Sequence, residues 1–406
     1  MAWTGSALAQ TDRPGQRYRV DPGNLARPNE TDSSSNPASR IALGPTTAPI
    51  VPEGFRVNRF AEGLAHARWM TVAPTGEVFL AEPRAGRITL LIDDDGDGRA
   101  DRDFVFAAGL NRPHGLALRG GYLYVADVRR VWRYAWRPGL TKAERPPEPV
   151  TGPNALGGGG GHWTRNIAFG PDGRSLYVAI GSASNIAEDR PPRATIKYFE
   201  FDEQTDKAFN GRIWASGLRN PVGIAFHPDT GALYTVVNER DGLGDGLVPD
   251  YLTAVREGGF YGWPYAYIGA NPQPGFANLA PALVERAIVP DLLFRSHSAP
   301  LGLVFARDAD VPADWKGDAF VALHGSWNAA APLGYMVVRV PFRGGRPAGW
   351  YEAFATGFHV GNKKGFFGGS TAEVWGRPAG LAVAADGSLL IADDYANVIW
   401  RISRSR

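Results

Sequence analysis

Residues 157–185 read GGGGGHWTRNIAFGPDGRSLYVAIGSASN. Five glycines and His162 lead into a short apolar run, a Gly-Pro-Asp-Gly turn and a second run rich in β-branched and aromatic residues, which is the pattern of a β-hairpin. The unit recurs. RWMTVAPTGEVFLAE starts at Arg68, RPHGLALRGGYLYVAD at Arg112, NPVGIAFHPDTGALYTVVNE at Asn220, PLGLVFARDADVPADWKGDAFVALH at Pro300 and RPAGLAVAADGSLLIADD at Arg377. Third strands such as RITLLI, RVWRYAW and NVIWRI follow several copies, and long helical periodicity is weak throughout. The copies lie about 45 to 85 residues apart, the range of propeller blades with loop insertions. The spacing predicts an all-β chain: a six-bladed β-propeller of four-stranded antiparallel blades over residues 51–406.

In an antiparallel hairpin the start of the first strand and the end of the second lie on one face. The starts carry Arg68, Arg112 with His114, His162 with Arg165, Arg219 with Asn220, His297, and Arg377. The ends carry Glu82, Asp127, Ser182, Asn238 with Glu239, His324, and Asp393 with Asp394. Polar residues from six points in the chain are therefore predicted to converge on one mouth. Four of the seven histidines fall there.

The composition narrows what such a mouth serves. A net charge of +2 over 406 residues, without a long Lys/Arg run, lacks the footprint of a nucleic-acid binder. No uninterrupted apolar run is long enough for a membrane span. With no cysteine, disulfides and thiolate chemistry are excluded, and any metal must sit on oxygen or histidine. Ala7-Leu8-Ala9 before Gln10 resembles the end of a cleaved export signal, so a periplasmic or secreted location is expected. Residues 1–50, rich in Ser, Pro, Asn and Thr, are expected to form that remnant and an extended arm.

Asp93, Asp95, Asp97 and Asp101 occupy positions 1, 3, 5 and 9 of a loop with Gly98 at position 6, a spacing of hard oxygens that suits a structural calcium ion. Phe104 stands where a closing Glu would be. The Gly/Asp-rich loop 238–250 offers carbonyls and carboxylates for a second cation. No G-x-S-x-G, H-E-x-x-H or P-loop motif is present, so serine-hydrolase and zincin chemistry have no support. His162 is a candidate general base and Arg219 a candidate partner for an oxyanion or an anionic cofactor.

HWTRN at 162–166, GLRNPVG at 217–223 and GGFYGWPY at 258–265 together resemble the soluble glucose/sorbosone dehydrogenases, quinoproteins that carry pyrroloquinoline quinone (PQQ) on a six-bladed propeller. The resemblance covers about residues 52–404, and HSAPLGLVF with ALHGSWN is most similar to the L-sorbosone dehydrogenase branch. It implies oxidation of an aldose or a hydrated ketoaldose by hydride transfer to calcium-bound PQQ, with an external electron acceptor. His162 would be the base. Arg219 and Asn220 would contact the quinone oxygens, and Arg377 a cofactor carboxylate. Glu239, Arg240 and Asp241 would hold the calcium through backbone carbonyls. His114 and His324 would stand in the mouth, Trp327 or Trp375 would offer a flat face to the cofactor, and Lys363 or Lys364 would replace a cation missing at Ala329. Ser182 stands where the glucose enzymes carry a carboxylate beside the base. A calcium-dependent lactonase-like hydrolase and a non-catalytic sugar-binding propeller remain as alternatives, because fold alone does not choose among them.

Overall fold

A computed structural model describes residues 12–202, 207–364 and 370–405. It is all-β apart from one α-helical turn, Pro281–Arg286, and two short 3₁₀ turns. Six antiparallel sheets follow one another along the chain, five of four strands and one of five. Each begins with one of the recurring hairpins. In the third sheet Arg165–Phe169 pairs with Ser175–Ile180, then come Thr195–Phe201 and Ala208–Ser216. The turn is set by its residues: Gly173 adopts φ +65°, and Asp172 accepts the N–H groups of Arg174 and Ser175 at 2.9 Å each.

The first strands lie side by side in chain order, and the last of them, Pro378–Val383, packs back on the first, Trp69–Val72. A repeated glycine permits this approach. A Cβ on Gly115 would lie 2.6 Å from the carbonyl oxygen of Arg165, and one on Gly223 2.8 Å from that of Leu301. In the third sheet Asn166 takes the glycine's place and its Nδ2 donates to Val222 O at 3.1 Å. Gly115→Ala is expected to cost about 1–3 kcal/mol, because the obstructing atoms are backbone. Urea denaturation reads that loss.

Apolar clusters fill each gap between neighbouring sheets. Phe79, Phe106 and Trp136 join the first two sheets, Phe320, Phe354 and Trp400 the last two, and Leu80, Leu390 and Ile399 the sixth and first. The sixth sheet is composite: Phe55–Ala61 pairs with Val398–Arg404.

Residues 12–50 are pinned along the sheets. Arg17–Tyr18 adds to the edge of the fifth sheet and Ala38–Arg40 runs parallel to Ser370–Val374. Between them Asn29 N–H donates to Leu243 O, Thr31 Oγ1 accepts from Asp245 N at 2.8 Å, and Asn36 N–H donates to Trp327 O. Residues 7–10, with the expected export signature, lie outside the described residues.

Candidate active site

The strand starts and ends meet around two adjoining cavities. One, of about 360 Å³, is lined by His162, Arg219, Asn220, Glu239, Asp241, Asp250, His297 and Trp327 among others. The second, of about 340 Å³, includes His66, Arg84, Arg112, Trp163, Asp394 and Tyr395 in its lining. Arg68, His324 and Arg377 line both.

His162 is the best-defined member. Its Nδ1 lies 2.8 Å from Ser182 Oγ and 3.2 Å from Ser182 O. The Ser182 hydroxyl donates its own proton to Ser184 O at 2.6 Å, so both serine oxygens face the ring as acceptors. Nδ1 therefore carries the proton and Nε2 keeps its lone pair. Burial, then the Arg219 charge, holds the imidazole down at about 3. The serine thus fixes the tautomer of a neutral base without adding a charge. Ser182→Ala keeps the carbonyl but removes one hydrogen bond of about 1 kcal/mol, so roughly a fivefold shift of the ring toward the other tautomer is expected, read by nitrogen NMR.

Gly161 has φ +54° and its α-carbon faces the Ala183 backbone so closely that no side chain fits. The glycine run brings the chain tightly past the strand end that presents Ser182. At the far end of the same stretch Asn185 is a clamp. Its carbonyl accepts from Arg219 Nε at 2.9 Å and from Trp263 Nε1 at 3.1 Å, while its side chain bonds both Asp241 N and Asp241 O at 2.9 Å.

Arg219 is committed on every side. Nη1 donates to Glu239 O at 2.6 Å and Asn238 O at 3.2 Å, and Nη2 to Asn185 Oδ1 at 2.9 Å with Asp241 at 3.6 Å. Its geometry makes it the latch of loop 238–241, with charge rather than a free N–H to offer a ligand. Asn220 beside it has an Oδ1 that is buried and unpartnered. Arg377 spends Nε and Nη2 on the carbonyls of His324 and Gly325 at 2.8 and 2.7 Å, and among the described residues its Nη1 is uncommitted.

The loop expected to hold calcium presents carboxylates more openly than carbonyls. Glu239 O already accepts from Arg219, and Asp241 O from Asn185 and from Arg240 Nε. The Glu239 carboxyl is pushed up to about 8 by burial, against the pull of Arg219, and Asp250 to about 6, also by burial. Asp241 is held below the carboxylate range: burial raises it, but His297, Arg219 and Asn328 outweigh that. Buried carboxyl groups next to an unpartnered amide oxygen form a hard-oxygen set that fits a calcium ion.

Other expected residues lie elsewhere. His114 is fully buried against Trp69 and Trp163 and lines neither cavity. Lys363 is exposed on His359–Lys364, outside both cavity linings. Trp375 is core, stacked on Phe358, whereas Trp327 is 52% exposed in the mouth. In the acidic loop Asp93, Asp95 and Asp101 bring their oxygens within 4.8 Å of one another. Asp97 stands apart and accepts Arg99 N–H at 2.7 Å. Three strand-end carboxylates turn inward: Glu82 binds Arg87 and Thr89, Asp127 the indole of Trp132, and Asp393 the N–H groups of Arg377 and Ala396. His66, Arg84, Asn185 and Asp250 are site residues the hairpin pattern did not single out.

The fold and mouth define a β-sheet protein with a neutral histidine base, buried cations and acidic oxygens around one opening. A family model described as TrAA12-like matches residues 49–248 and 283–405, and the chain belongs to that family. It is 27% identical over 368 residues to an uncharacterized protein of Borreliella burgdorferi, covering 88% of this chain and 91% of that one. It is 25% identical over 408 residues to a pyrroloquinoline quinone-dependent pyranose dehydrogenase of Coprinopsis cinerea, covering 87% of this chain and 54% of that enzyme's length. The solved PQQ domain of the Coprinopsis cinerea pyranose dehydrogenase, in its holo form, superimposes with a TM-score of 0.73 at 22% identity, over 91% of this chain and all of that one. No described helix is long and apolar enough to cross a membrane.

Proposed function

We propose that this protein is a PQQ-dependent oxidoreductase of sugars whose six sheets are the blades of a six-bladed propeller. The observation that carries the proposal is His162: its Nδ1 is fixed as a donor and its Nε2 lone pair is left for a substrate hydroxyl proton in a cavity of about 360 Å³. The cofactor, when bound, supplies the hydride acceptor. Arg377 and Arg68 would answer its carboxylates, Trp327 would offer it an aromatic face and Asn220 an amide. Glu239, Asp241 and Asp250 would hold calcium beside it. Arg219 keeps the loop carrying Glu239 and Asp241 in place. The oxidised group is a sugar hydroxyl or a hydrated aldehyde such as that of sorbosone, and the location is periplasmic or secreted. Asp93, Asp95 and Asp101 would hold a second, structural calcium.

The test is a titration of the full chain with PQQ and calcium, followed by sugar-dependent dye reduction. A cofactor spectral change with turnover supports the proposal, and its absence overturns it. The acids in the cavity favour one second reading, cation-assisted lactone hydrolysis, which would proceed without PQQ.

A further inference from the structure

The second cavity carries a charge pattern that a neutral sugar does not need. Its lining includes Arg68 and Arg377, shared with the first cavity and assigned above to the cofactor, and two further guanidinium groups, Arg84 and Arg112, against one carboxylate, Asp394. The surplus is local, since the whole chain has a net charge of only +2. Asp394 is already engaged: it accepts from Arg68, from His324 Nε2 at 2.8 Å and from His66 at 3.3 Å. It has little left for Arg84 and Arg112. Those two are exposed, and among the described residues neither has an ion pair or hydrogen bond.

Arg112 nevertheless holds φ +52°, an uncommon left-handed conformation for a non-glycine residue. Its guanidinium lies 6.0 Å from the Trp163 ring centroid, and that of Arg68 5.6 Å. An aromatic face flanked by cations suits a sugar ring that bears an anionic group. His162 and Trp163 are adjacent in sequence, and they line the first and second cavity respectively. Arg68, His324 and Arg377 line both cavities, so a ligand that presents a hydroxyl to His162 has the second cavity beside it.

We infer that the second cavity is a subsite for the carboxylate of an acidic monosaccharide, a uronic acid or a related sugar acid, with Arg84 and Arg112 as its clamp. The inference rests on the proposal that the first cavity takes the quinone. A guanidinium pair meeting a carboxylate forms charge-assisted bonds whose loss weakens binding about ten- to hundredfold.

The probes are D-glucuronate, D-glucose and D-glucose 6-phosphate. Calorimetric titration of the full chain, with and without PQQ, is expected to show glucuronate binding about tenfold or more tighter than glucose. Arg84→Gln/Arg112→Gln is expected to erase that preference. In the PQQ-loaded protein the same variant is expected to lower the glucuronate-to-glucose ratio of kcat/KM by about tenfold or more. Equal binding of glucuronate and glucose by the parent protein overturns the subsite. Preference for glucose 6-phosphate over glucuronate overturns the carboxylate assignment. A matching fall in PQQ affinity in the variant places a cofactor carboxylate in this cavity instead, and overturns the proposal. If PQQ fails to bind at all, the dehydrogenase proposal fails by itself, and the direct titrations still decide the subsite.

Discussion

Replacing His162 by alanine is expected to lower kcat by about 10²- to 10⁴-fold while PQQ still binds. The loss falls on kcat because the imidazole acts on the substrate proton, and no hydrogen bond ties its Nε2 to the protein among the described residues. Single-turnover reduction of bound PQQ, followed spectrally, separates this from a cofactor defect. The pH profile carries a second signature. Burial and Arg219 hold His162 at about 3, against about 6.5 for an ordinary histidine, so it remains an unprotonated base across the usual range. No acidic limb near 6.5 is expected from it in kcat/KM. Between about 3 and 6.5 the unfolded chain takes up the proton and the folded chain does not, so this residue makes stability fall as pH is lowered through that window. Full activity in His162→Ala would remove the base assignment.

Asp394→Ala is expected to destabilise the protein by about 3–5 kcal/mol. Burial pushes the Asp394 carboxyl up, but His324 and Arg68 together hold it well below the carboxylate range. Removing it leaves the Arg68 guanidinium, at 8% exposure, without its counter-ion. His324, which burial and Arg377 hold at about 4, loses the acceptor of its Nε2–H at the same time. Since the folded pKa lies below the unfolded one, this carboxylate stabilises above about pH 4 and its contribution disappears as pH falls through the folded value. The difference in unfolding free energy between parent and variant should therefore be large at pH 7 and shrink in acid. A pH-independent difference would point to packing as the cause.

The hairpins were legible because each one combines two strong local signals, alternation and a Gly/Asp/Pro turn, and because antiparallel pairing turns a sequence position into a face of the sheet. That rule found His162, Arg219, His324 and Arg377. It failed where a residue acts through a distant partner. Asn185 sits in a loop with no pattern of its own, and its bonds to Arg219 and Asp241 cross 34 and 56 residues. The strand-end acids were ambiguous for a different reason: Glu82, Asp127 and Asp393 close their own turns or sheet ends, while Asp394, one residue further on, turns to the cavity. A single residue decides, and composition does not distinguish the two directions. Trp327 and Trp375 show the same limit, since an indole reads alike in a core and in a mouth.

The sheet made of Phe55–Ala61 and Val398–Arg404 joins residues 343 positions apart, as in the contact of Asn58 with Arg401. At roughly 5–20 residues per second of synthesis, the earlier strand waits roughly 20–70 s for its partner to be made. During that time its pairing edge is open to any other strand nearby. Production of this protein should therefore be limited less by the strength of its finished core than by how well that early strand is shielded in the nascent chain.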